Sequence, residues 1–400
     1  MVFDLTYPHL YRSSLPKCVM RIDDSWYDCT SWRNSHPGGA QMCDEFHGKD
    51  ATDAFYSLHS KEAIQKLKRM KALPLKEGDT PRDQVSLNFA KLVKELEEKG
   101  WFERIWFIDF TRNILPVIAL CIIGTFLSYS CPVLATVLIG LGMQQAGWLG
   151  HDFTHARSKF ARFLGNTLGG LINGFSLEWW SHKHNSHHVF VNRKGLDSDI
   201  HNEPVLFLWI PDVSEDTALR RYQYMFYPFA YSLLYVSWRM QSLRFALGSG
   251  NKKELAHMAV NYLWLALLPW KVAIGSVILG GFCVAIVVTS NHQTEEMIEH
   301  DEPYNYIIDQ YRATRGVQCS DPFFEWFFGG MQYQLEHHLL PMVPRYRYPE
   351  ARGILRKFSE DNGLPFHVNG VMEITKMNFD VMYRNSIAPA VGAQESKKQE

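Results

Sequence analysis

The chain has 400 residues, 46% of them apolar and 14% aromatic, which is too hydrophobic for a disordered protein and long enough for two or three domains. Lys and Arg total 41 against 42 Asp and Glu, a formal charge of -1, which gives no electrostatic reason to expect a nucleic-acid partner, since phosphate binding needs a concentrated cationic face. The seven cysteines are odd in number and lack C-x-x-C spacing, and several lie in apolar stretches, so they read as buried thiols of a reducing compartment.

The N-terminal stretch "MVFDLTYPHLYRSSLPKCVM" lacks a basic segment followed by a continuous apolar one, so no cleavable secretory signal is expected. "SHPGG" then offers His36 in a turn, and "FHGKDATDAFYSLHS" offers His59, with Phe46, Ala51, Phe55 and Leu58 as apolar lining. Two histidines flanking a small apolar pocket suit bis-imidazole haem ligation and electron transfer, because no axial position is left for oxygen. By spacing alone the two are equally compatible with surface positions. Leu73 to Gln84 reads as a linker, and the segment after it predicts a helix with Phe89, Leu92 and Leu96 on one face and Gly100 as its stop.

The mean hydropathy of -0.20 hides strong local contrast. Ile114 to Gly150 carries no charged side chain over about two bilayer crossings of ~20 residues, which predicts a transmembrane hairpin bent at Ser130 to Pro132. Leu255 to Trp270 and Lys271 to Asn291 predict a second hairpin, and tryptophans 101, 106, 148, 179, 180, 264 and 270 sit near the ends of these runs, as an aromatic belt would. Asp301 to Glu400 is polar with apolar helical stretches and a terminal "ESKKQE" that predicts a frayed tail.

Histidine clusters punctuate the chain from His151 onward. "HDFTH" sets His151 and His155 four apart, "HNSHH" sets His184, His187 and His188 at i, i+3 and i+4, and "QLEHH" repeats that spacing with Gln334, His337 and His338. On helices these positions share a face, so each cluster can aim ring nitrogens at one point. With His292, which is either a ligand or an interfacial polar residue, the imidazoles exceed what one tetrahedral zinc uses, and two ions of a redox metal, iron foremost, accommodate them. Two hairpins return the chain to the side it started from, so the clusters can meet. Asp152, Asp197, Asp199 and Glu336 are either acceptors for ligand imidazoles or ordinary solvated charges. "FFEWFFGGMQ" (Phe323 to Gln332) is either a pocket wall or plain core.

"HPGG" with "GKDATDAFYSLHS" closely resembles cytochrome b5, and residues from about Phe102 to Phe366 are similar to membrane fatty acyl desaturases. The order of these motifs, with Gln334 opening the third box, resembles the front-end desaturases. The resemblance implies an α+β haem-binding domain (1-72), a linker and connecting helix (73-100), an all-α integral membrane domain of two hairpins and four spans under a cytosolic helical cap (101-385), and a polar tail (386-400). It implies haem b on His36 and His59, and two non-haem irons on His151, His155, His184, His187, His188, His292, His337 and His338, with Gln334 in a weaker part. His47 and His182 have no counterpart ligand role.

The implied reaction is O2-dependent insertion of a cis double bond between the carboxyl end and an existing double bond of a polyunsaturated acyl chain, carried by coenzyme A or a phospholipid. Implied partners are membrane lipids and an NADH-cytochrome b5 reductase, at the endoplasmic reticulum membrane with both redox sites cytosolic. Positions eight, five, six and four share these motifs, although "SKEAIQKLKRMKALP" resembles the delta-eight type. The rivals are a sphingolipid desaturase, a fatty acid hydroxylase, which Gln334 argues against, and a membrane metal-binding electron carrier or transporter, which the scarcity of charges in the spans argues against.

Overall fold

The computed structural model describes residues 13–392. The first residues of the stretch read for a signal, up to 12, and the tail from 393 lie outside the described residues.

Strands β1 (Val19–Ile22), β2 (Ser25–Asp28) and β3 (Ala72–Pro74) form an antiparallel sheet in that order, with Val19 opposite Asp28 and Ser25 opposite Pro74. Helices α1 (Ala40–Glu45), α2 (Thr52–Leu58) and α3 (Lys61–Leu67) lie between β2 and β3 in sequence. Ser60 caps α3 by accepting from the Ala63 amide. Helix α4 (Gln84–Glu98) starts where Asp83 accepts from the Ser86 amide at 2.9 Å, buries Phe89 and Leu96, and stops before Gly100 at φ +71°.

Helix α5 (Trp106–Ile108) runs through a π-helical turn at Asp109–Ile114 into α6 (Leu115–Leu127), and a short turn leads to α7 (Pro132–Thr154), which starts with proline at its first position. Then come α8 (Lys159–Leu168), α9 (Leu177–Val189), α10 (Gln223–Ser232), α11 (Leu234–Ser249), α12 (Lys252–Ala266) and α13 (Trp270–His292). The last part holds α14 (Tyr306–Ala313), α15 (Pro322–Phe328), α16 (Gln334–Leu339), α17 (Tyr348–Asn362) and α18 (Val371–Ile387). Helices α7 and α13 pack almost backbone to backbone: a Cβ on Gly280 would stand 3.1 Å from the Gly140 carbonyl. That close approach brings His151 and His292, at the far ends of the two helices, to the same level.

The second domain is mostly helical, but β4 (Arg315–Gln318) and β5 (His367–Gly370) pair in parallel, with Arg315 opposite His367. The expected all-α domain is corrected by this two-stranded sheet, which ties the α14 end to α18 across the intervening helices α15, α16 and α17, a pairing that no local pattern announces. Among the described residues, three helical stretches, Trp106–Leu127, Pro132–Thr154 and Trp270–His292, are long and apolar enough to cross a membrane. Helix α12 has 15 residues, and its Val260 and Leu263 are exposed.

The aromatic belt is also corrected. Trp106 and Trp270 are exposed near span ends, but Trp101, Trp148 and Trp179 are buried in the core. The cysteines are all free, and only Cys131 is exposed.

Candidate metal centre

Helix α9 is cut to length by its caps. Ser176 accepts from the Trp179 amide at 3.1 Å at one end, and the helix stops at Phe190 at the other. Within it, His184, His187 and His188 are buried and point inward. His151 on α7 and His155 just past its end, His337 and His338 on α16, and His292 closing α13 meet them there.

Two groups result. Ligand atoms of His151, His155, His184, His188 and His337 lie within 4.8 Å of one another, and so do those of His187, His292 and His338. The groups adjoin where the His188 and His338 rings stack at 4.2 Å. Gln334 sits in the second group, its Nε2 3.1 Å from His292 Nε2 and 3.2 Å from His338 Nε2.

The outward nitrogens fix the tautomers. His292 Nδ1 donates to the Ala313 carbonyl at 2.9 Å, His338 Nδ1 to Gln310 Oε1 at 2.7 Å, and His187 Nδ1 to Asp197 Oδ2 at 2.9 Å, while His337 Nδ1 pairs with the Tyr348 hydroxyl at 3.1 Å. Their Nε2 lone pairs therefore face the interior. There His188 Nε2 lies 3.0 Å from His184 Nε2 and 2.9 Å from His337 Nε2, three nitrogens with too few protons to satisfy them all. The Nδ1 atoms of His151 and His188 and Nε2 of His155 are buried without a hydrogen-bond partner.

Burial, followed by the mutual repulsion of the rings, holds His184, His188, His337 and His338 well below the ordinary imidazole range, so each presents neutral nitrogen, the metal-binding form. For His187 burial works the same way, but Asp197 outweighs it and raises the value, stabilising positive charge on that ring from a proton or from a cation. This donor set fits resident metal ions.

Of the carboxylates, Asp197 accepts from a ring nitrogen of the cluster at hydrogen-bond distance, and Asp199 is 3.9 Å from the same His187 Nδ1 and pairs with Lys183. Asp152 and Glu336 turn away, to Arg104 at 2.9 Å and Arg352 at 3.2 Å, because a residue one step from an inward-facing histidine lies about 100° around the helix. Trp179 and Trp180 differ in their surroundings. Trp179 is buried, and Trp180 stacks on His184 at 5.1 Å. His182 packs beside Phe245 and belongs to neither group, and His47 accepts from the Val19 amide at 3.1 Å.

Gln310, Tyr348 and Asn192 escaped the sequence reading. Asn192, at φ 51°, donates to the His292 carbonyl at 2.9 Å while its amide donates to Asp197. Only Gln310 left a signal, at helical spacing from Tyr306, whose hydroxyl donates to the His338 carbonyl at 2.9 Å.

In the first domain, His36 Nε2 and His59 Nε2 face each other at 3.5 Å, while their Nδ1 atoms turn to the Gly39 and Phe55 carbonyls. Burial lowers both, His59 to about 4, so both rings are neutral. A Cβ on Gly38 would crowd the His36 ring, which explains the small residue after proline. Two opposed neutral nitrogens fit haem, which His36 and His59 would hold.

Residues 128–370 match the family described as fatty acid desaturase. The chain belongs to that family. Residues 11–79 of this desaturase match the cytochrome b5-like heme/steroid binding domain, which implies haem, and the family is a di-iron one. The chain is 30% identical over 384 residues to the Delta(8)-fatty-acid desaturase of Euglena gracilis, covering 87% of this chain and 90% of that protein. It is 27% identical to the Delta(6)-fatty-acid desaturase of Caenorhabditis elegans, covering 90% and 94%. It is 29% identical to the Delta(8)-fatty-acid desaturase of Helianthus annuus, covering 85% and 82%. The desaturase is therefore an oxygen-dependent oxidoreductase of lipid metabolism with a fused haem-binding domain.

A cleft of about 190 Å³ is lined by Arg112, Gln145, Trp326, Tyr333 and Arg345, among others. The aromatic segment at its wall is tied to α7 where the Phe327 carbonyl accepts from Gln144 at 3.2 Å and from Trp148 at 3.3 Å.

Proposed function

We propose that this desaturase acts at the carboxyl side of an existing double bond in a polyunsaturated acyl chain. The balance is one –CH2–CH2– unit, O2, two electrons and two protons to one cis –CH=CH– unit and two waters. The observation that carries the reading is the gathering of eight buried histidines from four segments into two adjoining groups, in a chain that also opposes two histidines in a cytochrome b5-like domain. His151, His155, His184, His188 and His337 are assigned to one iron, His187, His292 and His338 to the other with Gln334 beside them, and His36 and His59 to haem b. When bound, the irons supply oxygen activation and the haem supplies single electrons.

The chain's own residues do the rest. Asp197, Ala313 and Gln310 hold three rings in the tautomer whose Nε2 faces inward. Trp179, Trp180 and Trp238 pack together against His184, keep bulk water from that side and leave an apolar approach for methylenes. Regioselectivity then follows from position, because neighbouring methylenes are chemically near-identical and a one-carbon slide changes the product. Arg112 and Arg345 at the cleft suit the anionic end of a coenzyme A thioester or a phospholipid. Of these positions, eight is favoured, since relatives from Euglena gracilis and Helianthus annuus carry that number in their names.

The proposed boundaries are 1-72 for the haem-binding domain, 73-100 for the linker and connecting helix, 101-385 for the membrane domain and 386-400 for the tail. Helix α12, with its exposed apolar face, supplies the fourth crossing beside the three long apolar helices. Both redox sites then lie on the cytosolic side of the endoplasmic reticulum membrane, served by an NADH-dependent cytochrome b5 reductase.

The test is expression in a host without polyunsaturated products, feeding a panel of acyl chains, and locating new double bonds by mass spectrometry. A new bond between the carboxyl group and a pre-existing one is expected. Hydroxylated acyl chains or unsaturated sphingoid bases as the sole product would replace the reading.

A further inference from the structure

The haem-binding domain is packed on the catalytic domain through aromatic rings. Phe46 follows α1, between the two haem-site histidines in sequence, and is buried. Its ring stacks on Phe190 at 5.6 Å and 23°, and meets Tyr304 edge-on at 5.4 Å, with Phe190 and Tyr304 themselves 5.7 Å apart. Phe190 ends the helix that carries His184, His187 and His188, and the Tyr304 hydroxyl donates to the Val189 carbonyl at 3.0 Å. One continuous apolar cluster joins Phe46, Phe190, Tyr306 and Leu339 across the two domains.

Charged pairs accompany this apolar contact. Arg82 of the linker pairs with Asp53 at 2.7 Å, and Lys159 of α8 pairs with Glu62 of α3 at 3.4 Å. A domain merely hanging on its linker has no reason to bury a phenylalanine against the end of a ligand-bearing helix.

We infer that Phe46, Phe190 and Tyr304 form the contact that docks the haem-binding domain on the histidine centre and through which electrons cross. The inference rests on the function proposed above. Each crossing oxidises ferrous haem to ferric and lowers the metal centre by one oxidising equivalent, with no atom or proton moving between the domains. Two crossings serve each double bond, and a pyridine-nucleotide-dependent flavoprotein reductase, the electron source by class, re-reduces the haem each time. The three rings conduct and position; none touches the acyl chain.

Two measurements on the full-length protein test this. In the haem- and iron-loaded enzyme, the haem is reduced by reductase without oxygen, and its re-oxidation is followed in the Soret band after mixing with O2 and acyl substrate. Tyr304→Leu is expected to slow re-oxidation by about tenfold, equivalent to a barrier change of ~1.4 kcal/mol, while Tyr304→Phe keeps the wild-type rate. Both variants are expected to keep the wild-type haem spectrum and rate of reduction by the reductase.

The second measurement needs neither metal nor turnover. Zero-length carbodiimide coupling should join Glu62 to Lys159 in the wild-type protein, read as a crosslinked peptide pair. Absence of that pair, or wild-type re-oxidation in a haem-replete Tyr304→Leu protein, overturns the inference. Loss of both the pair and fast re-oxidation in that variant supports it as the docking contact. Failure of the wild type to make any unsaturated product would instead sink the proposed function, leaving the coupling to judge the docking.

Discussion

His187 and Asp197 form a buried pair, Nδ1 to Oδ2 at 2.9 Å, in which the same carboxylate oxygen also accepts from the Asn192 amide at 2.8 Å. The other oxygen accepts from the Asp199 amide at 2.8 Å, so the carboxylate is held by the loop that follows α9 and in turn fixes one ring of the cluster. Asp197→Asn keeps the shape but offers the imidazole a neutral amide. Metal affinity or desaturation should fall by about 10–100-fold, with the protein still folded. Metal content per haem and product yield check it.

Gln334 contacts two rings of the second group, so its loss should be felt selectively at the His187, His292 and His338 group. Gln334→Ala should lower metal content towards half and reduce product yield, whereas a variant of the exposed Gln84 should do neither. Elemental analysis of purified protein, with haem absorbance as the internal standard, reads the difference.

The opposed His36 and His59 rings make haem retention a sharp test of the first domain. His36→Ala should abolish the Soret band and NADH-driven desaturation, while the histidine groups of the second domain keep their metal. Loss of metal together with haem would contradict the assignment of the two sites to separate residues.

Gly329 has φ +58°, its Cβ position overlaps the Trp148 ring, and its carbonyl accepts from Arg345 at 2.8 Å. Gly329→Ala should therefore cost about 2–4 kcal/mol, combining backbone strain with overpacking. Thermal unfolding in detergent should show a clear drop in midpoint, against little change for Gly353→Ala, where a Cβ meets open space.

Glu295 couples strand β5 to the segment after α13, accepting from His367 Nδ1 at 2.6 Å and from Arg315. Burial opposes its charge, but His367 and Arg315 outweigh burial and hold its carboxyl below the ordinary glutamate range. Because the folded value is the lower one, this stabilisation is fully present above the ordinary carboxylate range and is lost as pH falls through the lowered value. Glu295→Gln should flatten the acid limb of the unfolding midpoint against pH.

The histidine centre was legible because its information is local: spacings of three and four residues state which rings share a face before any fold is known. Asp197, offered as an acceptor for a ring nitrogen, does accept from His187, but Asp152 and Glu336 were not legible, since they are near the rings in sequence while their partners, Arg104 and Arg352, are supplied by other segments. The tryptophans misled for a related reason. Trp179 lies beside an apolar run yet turns into the core among Phe175 and Trp238, which sequence proximity cannot distinguish from a membrane edge. The β4–β5 pairing joins residues about fifty apart, beyond the reach of any periodicity.

Arg82, in the short segment between β3 and α4, clamps that segment to Asp53. A tether of that length turns supply of reducing power into a unimolecular event, at an effective concentration that for short linkers is on the order of millimolar. Spreading the enzyme thinly through a lipid bilayer should then leave turnover per molecule unchanged, with only the encounter with a reductase still governed by collision.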